Sequence, residues 1–351
     1  MKDISKVLTD WYTHNKRDLP WRETKNPYNI WVSEIILQQT RINQGLSYYY
    51  RFIEKFPDIF ILANSEIDKL LKIWQGLGYY SRARNMHTTA KELVKNYNGV
   101  FPEEYKELIK LKGIGDYTAS AIASISFNKK TPVVDGNVFR VLARLFGISK
   151  STQTKAGKDA FKNKAKELMG NINPGIFNQA LMEFGALLCT PLNPECSSCP
   201  LNSICFAFRH NLVSSLPTKK QKVKQTIRYF NYLYIIYGNN TFIEKRTKND
   251  IWKLLYQLPL IETDELLSFS NLIKNEKFEE IFHSSMPSIK PDYIDIKHIL
   301  SHQKIYSRFY RIEIKNMSNT ILNEYIKIPN TKLLKYSVPV LLQKYFNLVI
   351  K

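Results

Sequence analysis

The chain has 351 residues and carries 51 Lys and Arg against 31 Asp and Glu, a formal net charge of +20. At roughly 100–200 residues per domain, this length suggests two or three domains with ordinary cores and excludes a single small stapled module. Hydrophobic residues at 44% and charged residues at 23% exclude wholesale disorder, and the basic excess points to a polyanionic partner, either nucleic acid or an acidic membrane surface.

Residues 1–18 scatter Lys2, Asp3, Lys6, Asp10, Lys16 and Arg17 among apolar side chains, so the apolar core of a signal peptide is missing. No later stretch approaches the length of uncharged apolar sequence that spans a bilayer. The expectation is a soluble, cytoplasmic protein without membrane contact, nucleoid-associated if bacterial. Over residues 1–209 apolar residues recur at three- and four-residue spacing, broken by Pro, Gly and Asn, which predicts a mainly helical domain. Within it residues 28–44 read as one helical stretch, with Ile30, Trp31, Glu34, Ile35, Leu37 and Gln38 on overlapping faces. Residues 210–226 read as a linker, and its tract Pro217-Thr218-Lys219-Lys220-Gln221-Lys222-Val223-Lys224 is basic and polar enough to touch phosphate. The pattern then changes to alternation: residues 229–237 and 241–245 flank Gly238-Asn239-Asn240, a hairpin signal, and residues 305–314 read as another strand. An α+β domain is therefore predicted over 227–351, with residues 262–291 giving no pattern.

All four cysteines lie in one loop, Cys189-x6-Cys196-x2-Cys199-x5-Cys205, stiffened by Pro191, Pro194 and Pro200. A disulfide framework would spread its cysteines to close long loops. Zinc ribbons use two separated Cys-x2-Cys knuckles, whereas one compact thiolate loop suits a [4Fe–4S] cluster; zinc and unligated cysteines are the alternatives. Upstream, Leu111-Lys112-Gly113-Ile114-Gly115-Asp116-Tyr117-Thr118-Ala119 places two glycines directly before a small-residue helix over 118–125. Such a turn aims free N–H groups and the positive end of a helix dipole at an anion, and Gly113 and Gly115 become candidates for contact with a DNA phosphate.

Two carboxylates stand out. Glu34 sits in the apolar run Ile30-Trp31-Val32-Ser33-Glu34-Ile35-Ile36-Leu37, where burial should raise its pKa and keep it an acid near neutrality. Asp135 follows Pro132-Val133-Val134 at the expected mouth of a helix, where backbone N–H groups should favour the charged form and lower its pKa. A proton donor paired with an anion is what cleavage through an oxocarbenium ion requires. A helix-surface Glu and a capping Asp are the bland alternatives.

With these residues in view, the sequence resembles the helix–hairpin–helix DNA glycosylases that carry an iron–sulfur loop, and among them the adenine DNA glycosylases of the MutY type. The resemblance runs in order through Leu19-Pro20-Trp21-Arg22, Ser33-Glu34 to Leu37-Gln38-Gln39-Thr40-Arg41, Trp74-Gln75-Gly76-Leu77-Gly78-Tyr79-Tyr80-Ser81-Arg82-Ala83-Arg84, residues 113–119, Val133-Val134-Asp135-Gly136-Asn137-Val138, Asn178-Gln179-Ala180-Leu181-Met182-Glu183-Phe184-Gly185, and the four cysteines. It implies a multidomain protein: a mainly α helix–hairpin–helix glycosylase domain with a [4Fe–4S] cluster held by Cys189, Cys196, Cys199 and Cys205, and an α+β Nudix-like C-terminal domain. It implies an enzyme of base excision repair, a monomer acting on double-stranded DNA, that flips out and hydrolytically removes adenine mispaired with 8-oxoguanine or guanine. Glu34 would protonate adenine N7 and Asp135 would stabilise the sugar cation, supported by Tyr117 and Asn137. Trp21, Arg22, Leu37 and Glu183 match pocket positions, and Gln39, Thr40, Leu77 and Tyr79 match residues that fill or wedge the duplex after extrusion. The related endonuclease III type has a lysine where Tyr117 stands. A tyrosine cannot form the Schiff base that cuts the strand, so little or no lyase activity is implied.

The C-terminal half resembles the family's Nudix-like domain more loosely, chiefly over Arg246–Pro259. Gly-x5-Glu followed by Arg-Glu-x2-Glu-Glu does not occur, so the domain is expected to recognise rather than hydrolyse. Ser301 and His302 match lesion-reading positions, although Leu300 replaces the family's Phe, and the stretch from Thr190 to Glu195 lacks the basic residues often found between the first two cysteines. Two other function classes compete. A non-catalytic iron–sulfur DNA-binding protein has no use for Glu34 and Asp135 together, and a nucleotide pyrophosphatase is opposed by the missing acidic motif.

Overall fold

The structure is a computed structural model describing residues 3–218, 225–283 and 288–350, so residues 219–224 of the expected basic linker lie outside the described residues. The chain forms two compact units, Met1–Asn64 with Asn85–Gln221, and Ser65–Arg84 with Lys222–Lys351.

The first unit is helical. It contains α1 (Ile4–Asn15), α2 (Pro27–Leu37), α3 (Ile42–Lys55) and α4 (Ile59–Asn64); α5 (Ile67–Trp74) belongs to the second unit, and α6 (Ser81–Tyr97) enters the first at Asn85. There follow α7 (Tyr105–Leu108), α8 (Asp116–Ile125), α9 (Gly136–Phe146), α10 (Lys155–Met169), α11 (Pro174–Leu187) and α12 (Phe206–Arg209). Local chemistry sets the boundaries. Asn26 and Asn173 cap α2 and α11, each followed by Pro at the first helical position, and Gly147 ends α9 with φ +69°. The predicted helical stretch 28–44 is in fact two helices. It breaks after Leu37 because Gln39 takes φ +60°, and the chain restarts at Ile42. One core is built from Leu8 of α1, Val141, Leu142 and Leu145 of α9, Phe161 of α10, and Phe177, Leu181 and Phe184 of α11, with Cys189, Cys199 and Cys205 packed on its edge.

The buried side chain of Asn178, on α11, ties three segments together. Its Oδ1 accepts from the Val133 N–H at 3.0 Å, and its Nδ2 donates to Ser124 Oγ and to the Thr131 carbonyl, both at 2.9 Å. The extended segment leading to Asp135 therefore has its backbone polar groups satisfied by a side chain rather than by a sheet.

The second unit contains a mixed sheet. Its strands are β1 (Thr226–Tyr237), β2 (Asn240–Lys245), β3 (Tyr256–Gln257), β4 (Leu260–Thr263), β5 (Ser288–Ile299), β6 (Gln303–Glu313) and β7 (Ile326–Pro329). The spatial order is β3-β2-β1-β6-β5, with β4 on β1 and β7 on β2; β1 runs parallel to β6 and the other pairs are antiparallel. The hairpin expected at 238–240 is the β1–β2 turn, where Tyr237 faces Asn240 and Gly238 has φ +55°. The stretch without a sequence pattern holds the end of β4, α13 (Phe269–Leu272) and α14 (Glu276–Phe282), and residues 284–287 within it lie outside the described residues. With α15 (Asn319–Glu324), these helices pack Leu272, Phe278, Ile281, Phe282 and Ile321 against Leu233, Ile235, Tyr310 and Ile312 of the sheet. The last helix, α16 (Val340–Val349), stacks Tyr345 on Phe309 of β6 at 4.1 Å between ring centroids. Among the described residues no helix is long and apolar enough to cross a membrane.

Truncating Asn178 to Ala strands the buried Val133 N–H and takes a donor from Ser124 Oγ and from the partly buried Thr131 carbonyl, so it should cost about 1–3 kcal/mol of folding free energy. Chemical denaturation of the variant beside the wild type measures it; an unchanged midpoint would mean that water replaces the amide.

Candidate active site and cysteine loop

A cavity of about 450 Å³ opens in the first unit and gathers residues from five elements. Its walls include Trp21 and Arg22, Glu34 and Leu37 of α2, Thr40, Tyr117 of α8, Asp135 and Asn137 at the start of α9, and Glu183 of α11. Nine residues singled out in five separated stretches of sequence thus share one space. Thr40 and Arg41, in the break between α2 and α3, also stand on the wall.

Burial and hydrogen bonding set the protonation of each carboxyl. Glu34 is 7% exposed on a helix whose neighbouring positions are apolar, and burial first, then the negative charge of Asp135, push its pKa up to about 7 against the opposing pull of the Tyr117 hydroxyl and Arg22. The sequence expectation for Glu34 holds in direction and cause. That for Asp135 does not. Its pKa is raised rather than lowered, because burial outweighs the donors that face it. Those donors are present as expected of a capping residue: Oδ1 accepts from the Val138 N–H and Oδ2 from Asn137 Nδ2, each at 2.8 Å. They hold the rise back without reversing it. Tyr117 donates its hydroxyl to Met182 Sδ at 3.5 Å, and burial followed by the charges of Glu34 and Asp135 keeps the phenol protonated.

Glu183 is held oppositely. Arg17 approaches it through Nε at 2.8 Å and Nη2 at 2.6 Å, Arg22 through Nη1 at 2.9 Å and Nη2 at 2.6 Å, and the Arg17 N–H adds a bond at 3.0 Å. These contacts overcome burial and pull the Glu183 pKa down to about 2, so a permanent anion clasped by two guanidinium groups forms part of the wall. Arg17 was not singled out from sequence, although it stands two residues before the Leu19-Pro20-Trp21-Arg22 motif.

Other predicted contacts lie outside the cavity wall. Gln39 is exposed. Gly113 has φ +80°, and a Cβ there would meet Asn85 Cβ at 2.6 Å, so the turn itself demands glycine. Gly115 differs: it precedes α8 as an extended N-cap, is exposed, and a Cβ would meet nothing within 4 Å. In the second unit Tyr79 is 47% exposed with φ +45°, whereas Leu77 is buried, so only the first of these two wedge candidates presents its side chain to solvent. Ser301 and His302 stand just before the strand that the sequence predicts over 305–314. They form the exposed tip of the β5–β6 hairpin, with Ser301 Oγ 3.2 Å from His302 Nδ1. On α14, Glu276, Glu279, Glu280 and His283 line an open cavity that the sequence reading overlooked.

The four cysteines are unbonded to one another and face a small cavity of about 30 Å³ walled by Val141, Leu145, Phe184 and Leu188. The buried Arg144 guanidinium spans the loop, with Nη1 3.5 Å from Cys189 Sγ and 2.7 Å from the Thr190 carbonyl. Backbone N–H groups of Leu201, Ala207 and Phe208 favour the thiolates of Cys199 and Cys205, though burial still raises both thiols, Cys199 to about 11. An all-sulfur donor set with a compensating cation and N–H groups in dry surroundings fits a soft iron–sulfur group. Among the described residues no three His, Cys, Asp or Glu side chains are drawn close enough to hold a single metal ion. The sequence reading missed Arg140 and Arg144; their signal is a pair of arginines four residues apart on an otherwise apolar helix face.

Comparison with known proteins agrees with this geometry. Residues 32–167 match the model of the HhH-GPD superfamily base excision DNA repair protein, and residues 231–348 match the NUDIX domain. Among solved structures, a thermostable thymine-DNA glycosylase aligns with a TM-score of 0.55 at 28% identity, covering 60% of this chain and 96% of that one. The adenine DNA glycosylase of Arabidopsis thaliana is 44% identical over 249 residues, 62% of this chain and 39% of that protein. That of Buchnera aphidicola subsp. Baizongia pistaciae is 40% identical over 304 residues, 86% of this chain and 83% of the relative. A similarity of this depth over most of both proteins means that the chain belongs to the adenine DNA glycosylase family.

Proposed function

We propose that this protein removes adenine paired with 8-oxoguanine or guanine in double-stranded DNA, as a monomer and by hydrolysis without strand cleavage. The observation that carries the reading is the pair of carboxyls, Glu34 and Asp135, in the wall of one cavity large enough for an extruded base. Glu34, kept protonated near neutrality by burial, donates its proton to N7 of the base and turns adenine into a neutral leaving group. Asp135, whose hydrogen bonds restrain the effect of burial, is the group whose anion stabilises the positive charge developing on the sugar. Asn137 holds the Asp135 carboxylate, Tyr117 stands by Glu34, and Trp21, Arg22, Leu37 and Glu183 shape the seat of the base. No amine stands at position 117, so the sugar is left to water and the abasic strand stays intact.

Gln39, Thr40 and Tyr79 fill the gap left by the base, with the buried Leu77 backing the loop that carries Tyr79, Gly113 and Gly115 bring the α8 N-terminus to a phosphate, and Ser301 and His302 read the opposite lesion. A serine hydroxyl can accept from the N7–H that 8-oxoguanine carries and guanine lacks. Cys189, Cys196, Cys199 and Cys205 would hold a [4Fe–4S] cluster, whose contribution when bound is to cross-link the loop that packs on α9 and α11.

Duplexes bearing A opposite 8-oxoguanine, treated with protein and then with hot alkali, should break at the adenine, and without alkali they should stay whole. Breakage absent in both treatments would sink the reading. The purified protein should be brown and contain iron and sulfide; a colourless protein with one zinc per chain would refute the cluster.

Single-turnover excision should fall about tenfold per pH unit above pH 7, as Glu34 loses its proton, and fall again in acid, as Asp135 takes one up. Glu34→Gln should abolish excision and leave mismatch binding. It should also change stability with a defined sign. A carboxyl whose folded pKa of about 7 exceeds its ordinary 4.5 holds extra proton in the folded state, so folding stability drops as pH rises between those values. The variant should therefore match the wild type at pH 4 and exceed it by roughly 1–3 kcal/mol at pH 8. Equal stabilities at pH 8 would mean that Glu34 is hydrated.

Gly115→Ala should leave the melting temperature unchanged, because nothing in the protein occupies the added methyl's position. Its DNA affinity should fall by roughly tenfold, the worth of one charge-assisted hydrogen bond to phosphate. A titration showing wild-type affinity would place the phosphate elsewhere.

A further inference from the structure

Ser65–Arg84 interrupts the sequence of the helical unit yet clusters with the second unit, and three groups of polar contacts fasten it there. Asp68 of α5 accepts from Lys245 Nζ of β2 at 2.6 Å and from the Tyr256 hydroxyl of β3 at 2.8 Å. One turn later, Lys72 Nζ donates to the Leu334 carbonyl at 2.6 Å, the Tyr336 carbonyl at 3.0 Å and Gln75 Oε1 at 2.9 Å. At the far end Arg84 Nη1 donates to the Lys253 carbonyl at 3.0 Å. Both oxygens of Asp68 are thus engaged, one by a cation and one by a phenol, which makes it the strongest of these anchors.

Between the anchors the chain forms a tight loop. Gly76 and Gly78 take φ +101° and +72°, and Tyr79 itself takes φ +45°. The Trp74 indole N–H donates to the Gly78 carbonyl at 3.1 Å, and Arg82 Nη2 reaches the same carbonyl at 3.3 Å while its guanidinium lies 5.6 Å from the Tyr79 ring centroid. A bulky residue in left-handed backbone at an exposed tip persists only where its surroundings fix it. Here they are α5 and the start of α6, held in turn by β2, β3 and the chain segments at 253 and 334–336.

We propose that Asp68 is a positioning residue that fastens the Tyr79 loop to the body carrying Ser301 and His302, so that wedging the duplex and reading the base opposite adenine are done by one rigid piece. The proposal rests on the roles given above to Tyr79, Ser301 and His302. Its physical content is that Tyr79 can be driven into the duplex only from a frame already docked over the lesion. Burial and the Asp68 charge keep the Tyr256 phenol protonated and so keep it a donor to this anchor.

The test uses the full chain and two duplexes with A opposite 8-oxoguanine, one fully paired on either side and one with flanking mismatches that open the helix beforehand. Asp68→Ala should slow single-turnover excision on the paired duplex by roughly 10- to 100-fold and leave the pre-opened duplex near the wild-type rate. Lys245→Met combined with Tyr256→Phe attacks the same anchor from the other side and should show the same split. Asp68→Asn, which keeps an acceptor for Tyr256, should recover part of the rate. Equal losses on both duplexes, or no loss on either, would overturn the proposal. Should the wild type cut neither duplex, the glycosylase reading has failed instead.

Discussion

The first turn of α9 is the constraint from which the site follows. Asp135 caps this helix through Oδ1, and its Oδ2 takes the amide of Asn137, whose Oδ1 accepts from Arg140 Nη2 at 2.8 Å. Arg140 in turn donates to the Gly185 carbonyl on α11 and, through Nε, to the Cys189 carbonyl, both at 2.7 Å. Because each donor in this chain has one sensible acceptor, the Asn137 amide can face only one way and the Asp135 carboxylate can adopt only one rotamer. The arrangement also needs α9 and α11 close together. A Cβ on Gly185 would meet Asn137 Cβ at 2.7 Å, so glycine at that position is a packing requirement of the cap. The cysteine loop enters on the same terms, since its first carbonyl satisfies Arg140 and its next two satisfy Arg144.

Three carboxyls line one cavity and behave in three ways, which burial alone cannot explain. Glu183 faces two guanidinium groups and a backbone N–H and falls to about 2. Asp135 faces a helix N-terminus and an amide, which restrain its rise. Glu34 faces mainly a phenol and apolar neighbours and rises to about 7. The differences follow the count and charge of the donors each carboxyl meets.

The sequence exposed most of this where the signal was local. Glu34 in an apolar run, Asp135 before Gly136-Asn137, the glycines before α8 and the cysteine spacing each depend on neighbours within a few residues. The misses are long-range. Nothing in the local sequence around Asp135 reports how deeply it is buried, so its pKa direction came out reversed. Arg17, Arg140 and Arg144 find their acceptors 166, 49 and 46 residues away in sequence. Residues 28–44 look continuous because the left-handed residue at their break is Gln39, which carries no sequence warning of a turn. In the second unit, β1 and β2 were legible through alternation and Gly238, while the parallel pairing of β1 with β6 depends on a partner 77 residues downstream.

Gly113 and Gly115 show how structure separates what sequence lumps together. Gly113 is required by its own backbone and by Asn85, so its role in folding is sufficient reason for it. Gly115 has an ordinary φ of −90° and open space where a side chain would go, so neither strain nor packing selects glycine there. That open space lies at the N-terminus of a helix whose first N–H groups lack intrahelical acceptors, which is the basis of the phosphate contact proposed above. Gln39 and Tyr79 form the converse case. Each is a non-glycine residue in a backbone region that costs on the order of 1–3 kcal/mol, in a position where glycine would relieve the strain. An amide and an aromatic ring held in this way are two groups able to occupy the space a departed base leaves in a duplex, which is the role proposed for them above.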